Sequence, residues 1–282
     1  MSDALHTRVA RALDTAVVDS MTLDGGEIGT VSRLDLADGR TVVAKAAEGG
    51  TPPAVEARML ADLERAGLPV PTVVHADDDC LVLDYIAGDG AFDEAAERDV
   101  ARHLARLHDT TAARYGYPTP TWSGRHRRTN PRLGDWPTFF RETRLRPIAA
   151  DAHADGVLPD ALHERVCTLA DDVDTLLPSS PPASLVHGDA WANNVVVRDG
   201  TVAAFLDPAC AYVHAEYELA YCRFAGFSEA FFDAYEAHRA IDPGFAERSH
   251  CYVLVPLLDH LWHFGADRYV AGVRDALDAL GY

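Results

Sequence analysis

The chain has 282 residues, with 44 Asp or Glu against 25 Lys or Arg, a formal charge of −19. A hydrophobic fraction of 48% excludes intrinsic disorder, and so acidic a chain lacks the basic face that a nucleic-acid or anionic-membrane binder needs. No apolar run reaches the ~20 residues of a membrane span and the first fifteen residues hold no apolar signal core, so a cytoplasmic location is expected. In chain order, the first segment reads as a helix and then strands. Residues 28–36 and 40–46 are β-rich and joined by Ala37-Asp38-Gly39, a hairpin signal. Pro52-Pro53 opens a helix over 54–66 that Gly67 stops, and strands follow at 71–75 and 80–85. After Gly88 the pattern turns helical, with Val100, Leu104 and Leu107 on one face of a helix over 94–108. A Pro-, Gly- and Arg-rich loop runs over 115–134, and helices follow at 136–150 and 160–177. Short strands at 184–187, 195–198 and 202–206 make a β island before a helical remainder from Ser228 on. The expected fold class is α+β and bilobal. Residues 1–87 form a small antiparallel-sheet lobe with one main helix, and 88–282 form a larger, mainly helical lobe.

The five cysteines are scattered without a CxxC pair, so neither a zinc cage nor a disulfide framework is expected. The cations are more informative: 24 of the 25 are Arg, and the single Lys is Lys45. An acidic, Asp-rich, Lys-poor composition resembles that of salt-adapted proteins, in which a Debye length near 3 Å at molar salt removes self-repulsion. A chain almost emptied of Lys that keeps one poses a question. Arg replaces Lys on a surface, but not where a slender ammonium must reach one oxygen.

His187-Gly188-Asp189-Ala190-Trp191-Ala192-Asn193-Asn194 lies between two short strands, and Asp207-Pro208-Ala209 follows the next hairpin. An Asp, an amide five residues on and a second Asp fit phosphoryl transfer. Asp189 would meet the acceptor hydroxyl, and Asn194 and Asp207 would hold Mg²⁺ through hard oxygen ligands. The spacing selects Asn194 over Asn193, which reads as a turn residue. Lys45 ends Thr41-Val42-Val43-Ala44-Lys45, the strand position from which an ammonium contacts the α/β-phosphates of ATP. Glu56, in the first turn of the next helix, is its candidate partner, although an acid there also suits the helix N-terminus by itself. Gly26 belongs to a Gly-rich stretch that reads as a nucleotide-covering loop or as a plain turn. Asp84, Tyr85 and Ile86 would form the hinge beside adenine through their backbone. His187 and His108 read as structural, and Phe227, Phe231, Phe232 and Tyr235 as core.

Lys45, the HGDxWxxN loop and Asp207-Pro208-Ala209 together resemble the aminoglycoside-phosphotransferase-like kinases. Trp191, the run from Trp136-Pro137 to Arg146-Pro147, and Glu216 with Leu219-Ala220 make the chain similar to the fructosamine kinase family within them. That resemblance implies a protein-kinase-like fold and ATP-dependent phosphorylation of a ketoamine sugar hydroxyl at O3, on a free or protein-bound amine, by a monomer. It marks Trp191, His214 and Glu216 as substrate residues. The alternatives are an aminoglycoside, choline or other amino-alcohol kinase of the same fold, or a catalytically silent nucleotide-binding module. The chain departs from the family at His214, Glu218, Ala190, Ala192 and Asn193, and in the loop carrying Arg125, Arg127, Arg128 and Arg132. These departures bear on the acceptor rather than on the chemistry.

A charge of −19 predicts that the fold gains stability as KCl rises from millimolar to molar. Thermal melting across that range checks it, and a flat or falling melting temperature contradicts the salt-adapted reading.

Overall fold

The computed structural model describes residues 2–23, 31–47, 50–124 and 126–282. Gly26 and the start of the 28–36 segment lie outside the described residues. The N-terminal region holds α1 (Ser2–Leu13), β1 (Val17–Thr22), β2 (Val31–Leu36), β3 (Thr41–Ala46), α2 (Pro53–Arg65), β4 (Val73–Ala76) and β5 (Cys80–Asp84). Its five strands form one antiparallel sheet in the order β1-β2-β3-β5-β4. Alternation along β3 decides what each face does. Val42 and Ala44 are buried on one face in a small core with Leu5 and Val9 of α1 and Leu34 and Leu36 of β2. Val43 and Lys45 therefore point to the other face, where a cavity lies. Pro53 at the first helical position starts α2, and Glu56 in its first turn is buried.

The C-terminal region holds α3 (Glu94–Leu107), β6 (Thr111–Ala112), β7 (Thr121–Ser123), β8 (His126–Arg128), α4 (Trp136–Phe140), α5 (Arg146–Ala154), α6 (Asp160–Leu176) and β9 (Ala183–Val186). Then follow β10 (Val195–Arg198), β11 (Thr201–Phe205), β12 (Ala211–Val213), α7 (Ala215–Phe224), α8 (Glu229–Glu236), α9 (Phe245–Phe264) and α10 (Asp267–Leu280). Residues 87–89 link the two regions and zip onto β10. Asp89 N–H donates to the Val197 carbonyl at 2.9 Å, and Arg198 holds the Ala87 carbonyl at 2.9 and 3.0 Å. A Cβ on Gly88 would stand 2.7 Å from the Val197 carbonyl, so the approach requires Gly.

Four expectations need correction. The helix expected over 136–150 is three pieces, with a π-turn at Arg141–Leu145 between α4 and α5. Pro147, near the start of α5, has no N–H to continue an α ladder, and the wider turn absorbs that loss. The expected β island is two structures: β10 and β11 form a hairpin, whereas β9 pairs with β12 and β6. The loop over 115–134 contains the hairpin β7–β8. Helix α7 lies between the expected β island and the helical remainder from Ser228, where no element was expected, because its Glu and Tyr residues mask the apolar period. The cysteines are free, and four of the five are buried.

The C-terminal core gathers around Trp136, which is fully buried and donates its indole N–H to the Tyr252 hydroxyl at 2.9 Å. Tyr115, Phe139 and Phe140 pack against it with ring centroids 5.2–5.8 Å away. Trp136→Ala leaves a large cavity and removes the indole hydrogen bond to the Tyr252 hydroxyl. It should cost about 3–5 kcal/mol in urea unfolding, and a loss under ~1 kcal/mol contradicts this view of the core.

Candidate active site

Lys45 reaches from β3 across the cleft. Its Nζ donates to Glu56 Oε1 at 2.6 Å and pairs with Asp207. Burial works against the ammonium, but Glu56 and then Asp207 overcome it, so Lys45 titrates above an ordinary lysine and stays charged. Burial pushes the Glu56 carboxyl up, against the pull of Lys45. One ammonium thus ties β3, α2 and the loop after β11 together. Asp207 sits at φ 52°, a left-handed conformation unusual for a side-chain-bearing residue. The cavity of about 230 Å³ beside these groups is lined by Val31, Val43, Leu83, Asp84, Tyr85, Ile86, Asn193 and Leu206, with Lys45, Glu56 and Asp207. The N–H groups of Asp84 and Tyr85 are already committed, to the carbonyls of Thr72 at 3.0 Å and Thr41 at 3.3 Å.

Asp189 follows a loop that the C-terminal core grips. Gly188 has φ +85°, and a Cβ there would come within 2.2 Å of the Ala209 carbonyl. Only Gly lets the Asp189 loop and the Asp207-Pro208-Ala209 loop close on each other, as they do through Ala209 N–H to the His187 carbonyl at 2.8 Å. Glu218 of α7 accepts from the backbone N–H of Gly188 at 2.5 Å and of His187 at 3.3 Å. His108, at the end of α3, bonds the same carboxylate through Nε2 at 2.8 Å, and its Nδ1 meets the Tyr235 hydroxyl at 2.6 Å. Burial raises the Glu218 carboxyl, yet the hydrogen bond and charge of His108 prevail and it titrates below the usual range. His187 is buried and pushed down by desolvation, so it is neutral and structural.

The Asp189 carboxylate is held at both oxygens. The Tyr221 hydroxyl donates to Oδ1 at 2.5 Å, and Asn194 Nδ2 donates to Oδ2 at 2.8 Å and to the Asp189 carbonyl at 2.9 Å. With its NH₂ spent on Asp189, Asn194 keeps its amide oxygen for another partner. Burial raises the Asp189 pKa to about 6 against the lowering by Tyr221 and Arg128. Asp189 and Trp191 also line a second cavity, of about 130 Å³, with Ser123, Arg128, Tyr221 and Asp259.

The structure therefore brings Lys45, Glu56, Asp189, Asn194 and Asp207 together and sets Asp84, Tyr85 and Ile86 along the first cavity. Gly26 lies outside the described residues. His214 and Glu216 are not beside Asp189. His214 Nδ1 faces the Tyr252 hydroxyl at 2.9 Å, and Glu216 is clamped by Arg248 through two bonds of 2.7 Å. Neither lines the Asp189 cavity, because both sit at the start of α7 and turn toward α9. Burial and Arg248 lower His214 to about 3, so it carries no charge near neutrality. Sequence reasoning missed Tyr221 and the anchoring part of Glu218. Their spacing of three residues, which puts both on one face of α7, was the available signal.

The chain matches the family model described as fructosamine kinase over residues 1–280. It is 32% identical over 171 residues to "Probable ketoamine kinase" of Enterococcus faecium, covering 60% of this chain and 62% of that one. It is 28% identical to "Protein-ribulosamine 3-kinase, chloroplastic" of Arabidopsis thaliana over 66% of this chain and 57% of that one. The matched stretch thus spans less than two thirds of each of these curated relatives. A crystal structure of a candidate fructosamine-3-kinase from Thermobifida fusca superposes with a TM-score of 0.87 and 28% identity, over 99% of this chain and 98% of that one.

The raised Asp189 pKa has a stability sign. The folded carboxyl holds its proton more tightly than an unfolded one, so its charge costs stability fully above about pH 6 and less as pH falls toward 4. Asp189→Asn should therefore be more stable than wild type at pH 8, by roughly 1–3 kcal/mol, with the gap about halved by pH 5 and closed only below about pH 4. A variant less stable than wild type at pH 8 contradicts this.

Proposed function

This chain belongs to the fructosamine kinase family, and from that premise we propose that it transfers the γ-phosphoryl group of ATP to a sugar hydroxyl of a ketoamine. The adduct is of the fructosamine or ribulosamine type, as the names of the relatives suggest for those proteins. The observation that carries the reading is the position of Asp189. It lines the second cavity, and it bonds Asn194, whose neighbour Asn193 lines the first cavity together with Asp207; the Asn194 carbonyl accepts from the N–H of Leu206, next to Asp207, at 2.8 Å.

The donor set fits ATP·Mg²⁺. A free Asn194 amide oxygen and the Asp207 carboxylate are hard oxygen ligands, and Lys45 is a charged ammonium held in place for phosphate oxygens. When bound, ATP·Mg²⁺ supplies the phosphoryl group, with the cation neutralising its charge. Glu56 keeps Lys45 extended into the cleft. With the N–H groups of Asp84 and Tyr85 committed, base recognition falls to their carbonyls and to the Ile86 N–H. Trp191 borders the acceptor. Asp189 receives the proton of the acceptor hydroxyl at whichever carboxylate oxygen Tyr221 or Asn194 yields. A carboxyl near pH 6 is still ionised at neutrality and is a stronger base than an ordinary Asp. The lobes meet near residue 87, and the −19 charge supports action in a salt-rich cytoplasm. Among the described residues, no helix is long and apolar enough to cross a membrane.

Steady-state kinetics with a ketoamine acceptor test the assignment. Asp189→Asn should lower turnover by about 10²–10⁴ with little change in ATP affinity. Asp207→Asn should be partly relieved by excess Mg²⁺. The wild-type kcat/KM should fall on the acid side of about pH 6. Relief of Asp189→Asn by Mg²⁺, but not of Asp207→Asn, would reverse the two roles.

A further inference from the structure

The acceptor side of Asp189 holds a second charged pair that phosphoryl transfer does not use. Arg128, on β8, and Asp259, on α9, line the same cavity of about 130 Å³ as Asp189. They are only 7% and 6% exposed. A buried ion pair is favourable only when its remaining donors and lone pairs also find partners. Here they do not. Arg128 Nη2 stands 3.5 Å from Asp259 Oδ2, and the Ser123 hydroxyl donates to that same oxygen at 2.9 Å. Arg128 Nε and Asp259 Oδ1 are fully buried without a hydrogen-bond partner, Oδ1 standing 3.5 Å from His126 Nδ1 and 3.6 Å from His263 Nδ1. Burial raises the Asp259 carboxyl, but His126 and Arg128 prevail and keep it below the usual range, so it is an anion near neutrality. The acceptor wall therefore carries a fixed cation beside a fixed anion in an incompletely satisfied pair.

A lone anion, such as a sugar phosphate, would meet Arg128 but also face Asp259 and Asp189. A lone cation would face Arg128. The ligand that matches both is a zwitterion whose ammonium and carboxylate sit on one carbon. Resting on the ketoamine reading, we propose that Arg128 and Asp259 form a zwitterion subsite that selects ketoamines of free α-amino acids. The ketoamine nitrogen, a secondary ammonium, lies against the Asp259 carboxylate, and the α-carboxylate lies on the Arg128 guanidinium. A ketoamine on a lysine side chain has the ammonium but no carboxylate beside it, so it fills half the subsite. Arg128 comes from the Arg-rich segment, where the hairpin β7–β8 pairs it with Thr121.

The test compares wild-type kcat/KM for the ketoamine of glycine, the same sugar on glycinamide, and the same sugar on the lysine side chain. Charge-assisted hydrogen bonds to a carboxylate predict at least a tenfold preference for the glycine adduct over the amide. Arg128→Gln, checked for folding by thermal melting, should bring that ratio within about twofold, and Arg128→Lys should restore part of it. Calorimetric binding of the glycine and glycinamide adducts without ATP reads the same ratio and needs no turnover. A wild-type ratio near one, or a ratio unchanged in Arg128→Gln, overturns the subsite. Equal phosphorylation of both adducts would leave the kinase reading standing without it. Carboxylate-dependent binding with no phosphorylation would leave the subsite standing and remove the kinase reading.

Discussion

One ammonium sits where three parts of the chain meet. Lys45 leaves the sheet on its cleft face because Val42 and Ala44 take the core face, and it finds Glu56 of α2 and Asp207 of the loop after β11. Two carboxylates this close would repel each other without a cation between them. The position asks for a slender point charge, and this is the one place where a chain with 24 Arg keeps a Lys. The sheet region, its helix and the helical region are thereby registered on a single Nζ. The linking segment 87–89 is hydrogen-bonded to β10 on the other side of the same joint.

The opposite wall is built by backbone capture. Glu218 holds the His187 and Gly188 N–H groups, and His108 and Tyr235 complete a buried polar chain behind it. Such a network rigidifies only when its members are satisfied, and Glu218 uses both oxygens. Gly188 then allows the Asp189 and Asp207 loops to touch through the backbone. What results is a carboxylate, Asp189, fixed at both oxygens and raised by burial. The same desolvation that costs stability makes it a better base, a familiar exchange of stability for reactivity.

Much of this was legible because the chemistry is local in sequence. The five-residue step from Asp189 to Asn194, the strand end at Lys45 and the helix start at Glu56 are short-range patterns, and period-two alternation orients the lysine. The supporting residues were hidden because they act across 30 to 130 positions: Tyr221 on Asp189, Glu218 on Gly188, His108 on Tyr235. No periodicity encodes such contacts. Nearness in sequence to the Asp207 loop likewise does not say which way His214 and Glu216 turn, and Arg248 and Tyr252 do. The π-turn after Phe140 and the hairpin β7–β8 escaped because their residues lack strong helix or strand patterning.

The central claim is that Lys45 acts as a point charge whose shape matters, and one substitution addresses it. Lys45→Arg keeps the charge and matches every other cation of the chain. Phosphoryl transfer from ATP to a ketoamine, measured at molar KCl alongside thermal melting, should fall at least a hundredfold in a variant that still folds. The wider, planar guanidinium cannot occupy the gap between Glu56 and Asp207 and also serve phosphate oxygens as the ammonium does. Turnover close to wild type in Lys45→Arg would contradict the account.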